Sequence, residues 1–202
     1  MSKIQVHADL EQGSDKWHEL RLGKITASCF YKLLGTKVAR KKYLYEKANE
    51  IVTNCKSDGN KYVNFHIQRG WEYETVARNK YITSTFTPVK EVGLVQLSNY
   101  IACSPDGLVG ENGMIEIKVP DSNNYFQYVI EISKKGVKAI VKDHYIQMQF
   151  SLYVCARKWC DYVLFNPKHD NEGNGLFVFR VEYDDVMQDR ISEAVNECVP
   201  IM

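Results

Sequence analysis

The chain reads as a mixed α/β fold, a central mixed β-sheet flanked by helices. Three observations predict this class. Helical periodicity dominates from Ser14 to about Tyr81, strand-like apolar segments bounded by turn residues run from Val89 to Val119, and helical and strand-like stretches alternate from there onward. With 202 residues, 45% of them hydrophobic, the chain can bury a sizeable core. No repeat, low-complexity tract or Pro/Gly-rich linker interrupts it, so one domain over residues 1–202 is expected.

From the N-terminus, Ser14-Asp15 caps a short helix through Leu22 that stops at Gly23. Thr26 caps a second helix from Ala27 to Leu34, ended by Gly35. A third, from about Tyr43 to Thr53, groups Leu44, Ala48, Ile51 and Val52 on one side, and a fourth runs from Phe65 to Tyr81. Strands are expected at Val89–Leu97, Tyr100–Cys103 and Met114–Val119. Helices at Ser122–Ser133 and Asp143–Cys155, strands at Tyr162–Asn166 and Leu176–Val181, and a helix from Asp184 to Cys198 complete the chain.

Composition narrows the function classes. With 26 basic and 25 acidic residues the net charge is +1, which is not the footprint of a protein held to nucleic acid by bulk charge. Any such contact falls to local clusters, Arg40-Lys41-Lys42 and Lys134-Lys135 with Lys138. No apolar run reaches the ~18 residues of a membrane span, and the segment Met1–His7 lacks the hydrophobic stretch of a signal peptide. No membrane association is expected. The six cysteines include no CxxC pair, so buried thiols in a reducing cytoplasm are expected rather than a zinc site.

The most informative segment is Ser104-Pro105-Asp106-Gly107 followed by Met114-Ile115-Glu116-Ile117-Lys118. Strand side chains alternate between faces, so Glu116 and Lys118 share one side and Ile115 and Ile117 the other. A Pro-Asp-Gly turn can return the Asp106 carboxylate towards Glu116. Two carboxylates and an ammonium at the end of a sheet suit a hard, oxygen-seeking cation and the water it activates. The plain reading is a common hairpin turn followed by a half-exposed strand.

Three further groups of polar residues ask for a reason. In the fourth helix Ile67, Trp71, Glu74, Ala77 and Tyr81 recur at three- and four-residue spacing, a core stripe. A carboxylate there needs a partner, either Arg78 one turn on or a metal ion shared with Asp106 and Glu116. Arg21, Thr26 and Ser28 gather around a helix start, which serves either as an anion site or simply as a capped helix beside a surface arginine. His144, Gln147 and Ser151 form a polar stripe opposite Ile146, Phe150 and Val154. Such a stripe is usually solvated, yet the glutamine amide also has the geometry to bind a phosphate or an attacking water.

Together these segments resemble the phage lambda exonuclease family of YqaJ-like viral recombinases, within the PD-(D/E)xK nuclease superfamily. The resemblance is carried by Glu11-Gln12-Gly13-Ser14-Asp15-Lys16-Trp17-His18-Glu19-Leu20-Arg21-Leu22-Gly23 with Ile25-Thr26-Ala27-Ser28, by Tyr73-Glu74 with Ala77, by Ala102-Cys103-Ser104-Pro105-Asp106-Gly107-Leu108 with Glu116-Ile117-Lys118, and by Gln147-Met148-Gln149-Phe150-Ser151. These blocks stand in the family's order from Glu11 to Pro167. His144 departs from the pattern, standing where the family has a tyrosine, and the C-terminal part looks shorter than in lambda exonuclease.

The resemblance implies a restriction-endonuclease-like core and a magnesium-dependent enzyme, with manganese as a substitute. Asp106, Glu116 and the carbonyl of Ile117 look like its metal ligands, Glu74 like the acidic residue assisting a second ion, and Lys118 like the group that orients or deprotonates water. Arg21, Ser28, Ser104 and Gln147 match positions that hold a 5′-phosphate, and Ile67 falls near an apolar wedge at the DNA end. The implied activity is 5′-to-3′ degradation of one strand of linear double-stranded DNA, releasing 5′-mononucleotides and leaving a 3′ single strand. A homotrimer, an annealing protein that receives that strand, and a phage-encoded enzyme acting in the cytoplasm of a bacterial host are implied with it. Two other readings use the same residues differently: a restriction-like endonuclease, and a catalytically silent DNA-end-binding module.

Overall fold

The computed structural model describes residues 4–56, 65–170 and 173–199. Its strands are β1 (Gln5–His7), β2 (Ile25–Thr26), β3 (Leu94–Ser98), β4 (Ile101–Cys103), β5 (Gly107–Val109), β6 (Gly113–Lys118), β7 (Trp159–Phe165) and β8 (Leu176–Glu182). Its helices are α1 (Asp15–Arg21), α2 (Lys37–Thr53), α3 (Phe65–Thr85), α4 (Ser122–Lys135), α5 (Lys142–Cys155), α6 (Pro167–Asp170) and α7 (Asp185–Cys198). The mixed α/β class is borne out, but the strands divide into two four-stranded mixed sheets, ordered β1-β3-β4-β2 and β5-β6-β7-β8. The division falls at Ser104-Pro105-Asp106, between β4 and β5. Pro105 has no N–H to give a ladder, so pairing ends there and the chain changes direction. An isolated bridge joins Lys90, in the segment leading into β3, to Leu108 of β5.

β6 occupies the centre of the second sheet, antiparallel to β5 and parallel to β7. Both of its faces are covered. Ile115 and Ile117 pack with Ala77 and Tyr81 of α3 and with Val163 and Phe165 of β7. Met114, on the opposite face, joins Met148, Phe150, Leu152 and Val154 of α5. Glu116 is therefore only 2% exposed, and the half-exposed strand of the plain reading is absent. Parallel strands sandwiched between helices bury both faces, and β6 follows that rule.

Several expected elements shift for local reasons. Thr26 is drawn into β2, paired with Ala102, and its side chain makes no capping bond. A 3-10 helix, Ala27–Lys32, takes the place of the longer helix to Leu34. α2 begins at Lys37 because the Thr36 hydroxyl accepts from the Ala39 N–H. Its buried residues are Tyr43, Leu44 and Glu50, while Ile51 and Val52 are exposed. The Glu50 carboxylate, accepting from the Gly23 N–H at 2.9 Å and from Lys47, turns that face inward instead. In α3, Ala77 and Tyr81 are buried but Trp71 is exposed, because only the C-terminal part of the helix lies over β6 and β7.

Candidate active site

Folding brings Glu116, Lys118 and Gln147 into one hydrogen-bonded group, with Asp106 bound to Ile117, which intervenes between Glu116 and Lys118 on β6. Glu116 Oε1 accepts from Lys118 Nζ at 2.7 Å and from Gln147 Nε2 at 2.6 Å, and Lys118 also donates to Gln147 Oε1 at 3.2 Å. The turn does return Asp106 to the strand, where its Oδ2 accepts from the Ile117 N–H at 2.6 Å. The N–H and C=O of one strand residue face the same side. The Ile117 carbonyl therefore faces the Asp106 edge, beyond the last β5 pairing at Gly107–Ile115.

Electrostatics marks the group as a concentration of like charge. Burial, with Glu116 and Glu74 close by, pushes the Asp106 carboxyl well above the usual carboxylate range, against the opposing pull of Lys118. Glu74 is also raised, first by burial and then by Glu116 and Glu91, although Arg78 works against this. Burial alone would lower the Lys118 ammonium, but Glu116 and Asp106 more than offset it and the net shift is upward.

The donor set suits a divalent cation. Glu116 Oε2 is buried and has no hydrogen-bond partner, which is costly for a carboxylate oxygen unless something positive meets it. Hard cations take oxygens of this kind. Among the described residues no group of three or more His, Cys, Asp or Glu side chains is gathered closely enough to enclose an ion. The Glu74 carboxylate is held 2.5 Å from Arg78. Of the two expected partners the structure shows Arg78, and the nearby charge of Glu116 opposes ionisation of Glu74.

The expected phosphate residues separate into parts. Arg21 Nη1 donates to Ser104 Oγ at 3.0 Å, and burial lowers the Arg21 guanidinium. Gln147 is bound to Glu116 and Lys118 instead, and Ser28 is exposed in the first turn of the 3-10 helix. Ile67 falls in α3, but its side chain lies outside the described residues. The stripe on α5 is not solvated: Ser151 is buried, and His144 Nδ1 lies 2.7 Å from the Tyr162 hydroxyl. Burial, and then Lys118, push the His144 imidazole down to about 3, leaving it neutral.

Three residues that build the site are not announced as such by the sequence, or read there only as ion-pair partners. Trp17 lies under Arg21, with Cζ 4.0 Å from the ring, and its Nε1 donates to Ser104 Oγ at 2.9 Å. Two donors on one hydroxyl oxygen leave the Ser104 proton to be donated elsewhere. The i,i+4 spacing of Trp17 and Arg21 was the available signal. Arg78 donates through Nε to the Asp106 carbonyl at 2.9 Å. Gln12 bridges the carbonyls of Val92 and Pro105, a contact that no local pattern announces. A groove of about 810 Å³, lined by Gln12, Trp17, Trp71, Glu74, Arg78 and Glu91 among others, opens onto Asp106.

Comparison with known proteins bears on the family and the fold. A family profile described as the YqaJ-like viral recombinase domain matches residues 16–158. The structure is similar to that of an alkaline exonuclease (LHK-Exo) from Laribacter hongkongensis, with 32% identity and a TM-score of 0.80, covering 93% of this chain and 92% of that one. The same protein in complex with dAMP aligns with a TM-score of 0.78 at 32% identity and the same coverage. A phage related exonuclease from Haemophilus somnus 129PT, 18% identical with a TM-score of 0.64 over 87% of this chain and 91% of that one, shares the fold. None of the curated proteins matches the chain.

Proposed function

The chain belongs to the YqaJ-like viral recombinase family, and from that membership we propose that it degrades one strand of linear duplex DNA from the 5′ end. As an exodeoxyribonuclease of the phage type it hydrolyses terminal phosphodiester bonds. The products on this reading are 5′-mononucleotides and a 3′ single strand, passed to an annealing protein during recombination in the host cytoplasm. The observation that carries the reading is the Asp106–Glu116–Lys118–Gln147 group with its bare, buried Glu116 Oε2.

Asp106, Glu116 and the Ile117 carbonyl would hold a magnesium ion, or manganese in its place, with Glu74 beside a second. A bound ion of this kind supplies Lewis acidity and lowers the pKa of a coordinated water. Lys118, kept cationic by its two carboxylates, orients the attacking water and meets charge developing on the phosphate. Gln147 fixes Lys118 and Glu116 relative to each other. Arg21 forks towards the 5′-phosphate while Ser104 offers its free hydroxyl proton; Ser28 stands at the rim, and Ile67 is assigned as the wedge at the last base pair.

The test uses linear duplexes with 5′-phosphate or 5′-hydroxyl ends, a supercoiled circle, and magnesium with or without chelator. Release of mononucleotides from phosphorylated linear ends, lost in chelator, is the expected result. Cutting of the circle would instead show a restriction-like endonuclease, and binding without hydrolysis an end-binding module. Undiminished hydrolysis in excess chelator would overturn the metal-dependent reading.

A further inference from the structure

We infer that Arg78 is a positioning residue for the hydrolytic site, setting the separation between Glu74 on α3 and the turn that carries Asp106. Its side chain is 7% exposed and its guanidinium is used as a three-way fork. Nη2 holds the Glu74 carboxylate at 2.5 Å, Nε donates to the Asp106 carbonyl at 2.9 Å, and Nη1 reaches Glu91 at 2.8 Å. An ordinary i,i+4 helix pair would involve Glu74 alone. Here one arm crosses to the backbone of a residue 28 positions away, whose own carboxylate is anchored on β6 by the Ile117 N–H. The fork therefore links α3 to the Asp106 turn, and through it to β6.

Docking of α3 does not depend on this fork. Ala77 and Tyr81 are 0% and 1% exposed against β6 and β7, and the Tyr81 hydroxyl donates to Asp161 at 2.7 Å. Apolar packing tolerates small slides of a helix along a sheet, whereas a planar fork bound to a carboxylate and a carbonyl does not. Arg78 thus adds registry to a helix that packing has already placed. Its charge also offsets that of Glu74, whose ionised form Glu116 and Glu91 both disfavour. A lysine in its place would keep the charge and lose the fork.

The inference rests on the metal-dependent hydrolysis proposed above, and its test separates the two. Arg78→Lys and Arg78→Met are compared with wild type in three measurements: thermal melts, calorimetric titration of the protein with Mn2+ alone, and kcat and KM on a linear 5′-phosphorylated duplex. Arg78→Lys is expected to fold, to melt close to wild type and to retain Mn2+ binding through Asp106 and Glu116. Its kcat should fall by ~10²-fold with KM little changed, the size of loss that a misplacement of about 1 Å produces. Arg78→Met should lose at least as much kcat and melt lower, because Glu74 is left without its counter-charge.

Wild-type kcat per folded molecule in Arg78→Lys would overturn the inference, as would a loss confined to KM. If both variants fail to fold, Arg78 is a purely structural residue and the inference falls. A wild-type protein that neither binds Mn2+ nor cleaves would sink the metal-nuclease reading itself, an outcome distinct from either of these.

Discussion

Replacing Asp106 with Asn should stabilise the metal-free protein while destroying its activity. Asn is nearly isosteric and can still accept the Ile117 N–H that Asp106 Oδ2 takes at 2.6 Å. What disappears is a charge that burial, Glu116 and Glu74 all disfavour. Because these raise the folded-state pKa above the unfolded value, protonated Asp106 contributes stability that is fully present below the unfolded pKa. That contribution is lost as pH rises through the folded pKa. Above that range the ionised carboxylate is a liability which Asn removes, so the gain should be largest in alkaline buffer and vanish at acid pH.

Relief of unfavourable charge commonly yields ~0.5–2 kcal/mol. At roughly 2–4 °C per kcal/mol for a chain of this size, Tm in chelator near pH 8 should rise by about 1–8 °C. Magnesium reverses the order. At a hundredfold excess over Kd it adds ~2.7 kcal/mol to the wild type and little to Asp106→Asn, while cleavage by the variant falls by at least ~10²–10³-fold. Calorimetric melts with and without magnesium, beside a nuclease assay, read all three signs. A lower Tm for Asp106→Asn in chelator at pH 8, or equal stabilisation of both proteins by magnesium, would refute the reasoning.

The remaining expectations concern the same site and the assembly. Lys118→Ala should lose ~10²–10⁴-fold in rate with its fold intact, since a positioned charge or proton-transfer group is worth that much; circular dichroism and single-turnover cleavage decide it. Arg21→Ala should slow cleavage of 5′-phosphorylated ends by about 10–150-fold, from the ~1.5–3 kcal/mol of a charge-assisted hydrogen bond. It should affect 5′-hydroxyl ends much less, and equal slowing of both would remove Arg21 from phosphate recognition. The homotrimer is expected from the family resemblance, and the net charge of +1 makes it physically sensible: a near-neutral chain has little long-range attraction for DNA, whereas a ring retains its strand by enclosure. Light scattering that finds only monomer in a fully active sample would exclude it.

The fold was legible where periodicity and turns acted locally. The strand around Ile115, Glu116 and Ile117 and the helix ending at Cys155 could be read from apolar spacing and breakers, and both stand in the structure. β1, β2 and β5 could not. Each has only two or three residues; β1 and β2 exist through partners far along the chain, as Ile25 pairs with Ile101 and Val6 with Val95, and β5 through its hairpin with β6. A segment that short carries no period of its own. The expected capping role of Thr26 failed for the same reason: a ladder with Ala102 took the residue that local chemistry assigned to a helix start.

The candidate site divides along a similar line. Residue types and the Pro-Asp-Gly turn announced Asp106, Glu116 and Lys118, because strand alternation alone places Glu116 and Lys118 on one face. How the other polar residues are used depends on burial, which spacing does not report. The polar stripe of α5 reads as solvated only if that helix has a face in water. In the structure α5 packs against the 3-10 helix through Phe30 and Phe150, stacked at 4.1 Å, and against α7 through Gln188 and Gln149. With its flanks covered, Gln147 and His144 are turned towards the β6–β7 face. Gln147 there meets Glu116 and Lys118, and His144 meets Tyr162. Polar side chains enclosed in this way must be satisfied by one another or by a ligand. Within the group of Asp106, Glu116, Lys118 and Gln147, Glu116 Oε2 is buried without a hydrogen-bond partner, and that shortfall, rather than the polarity of the stripe, is what motivates the proposal of a cation there.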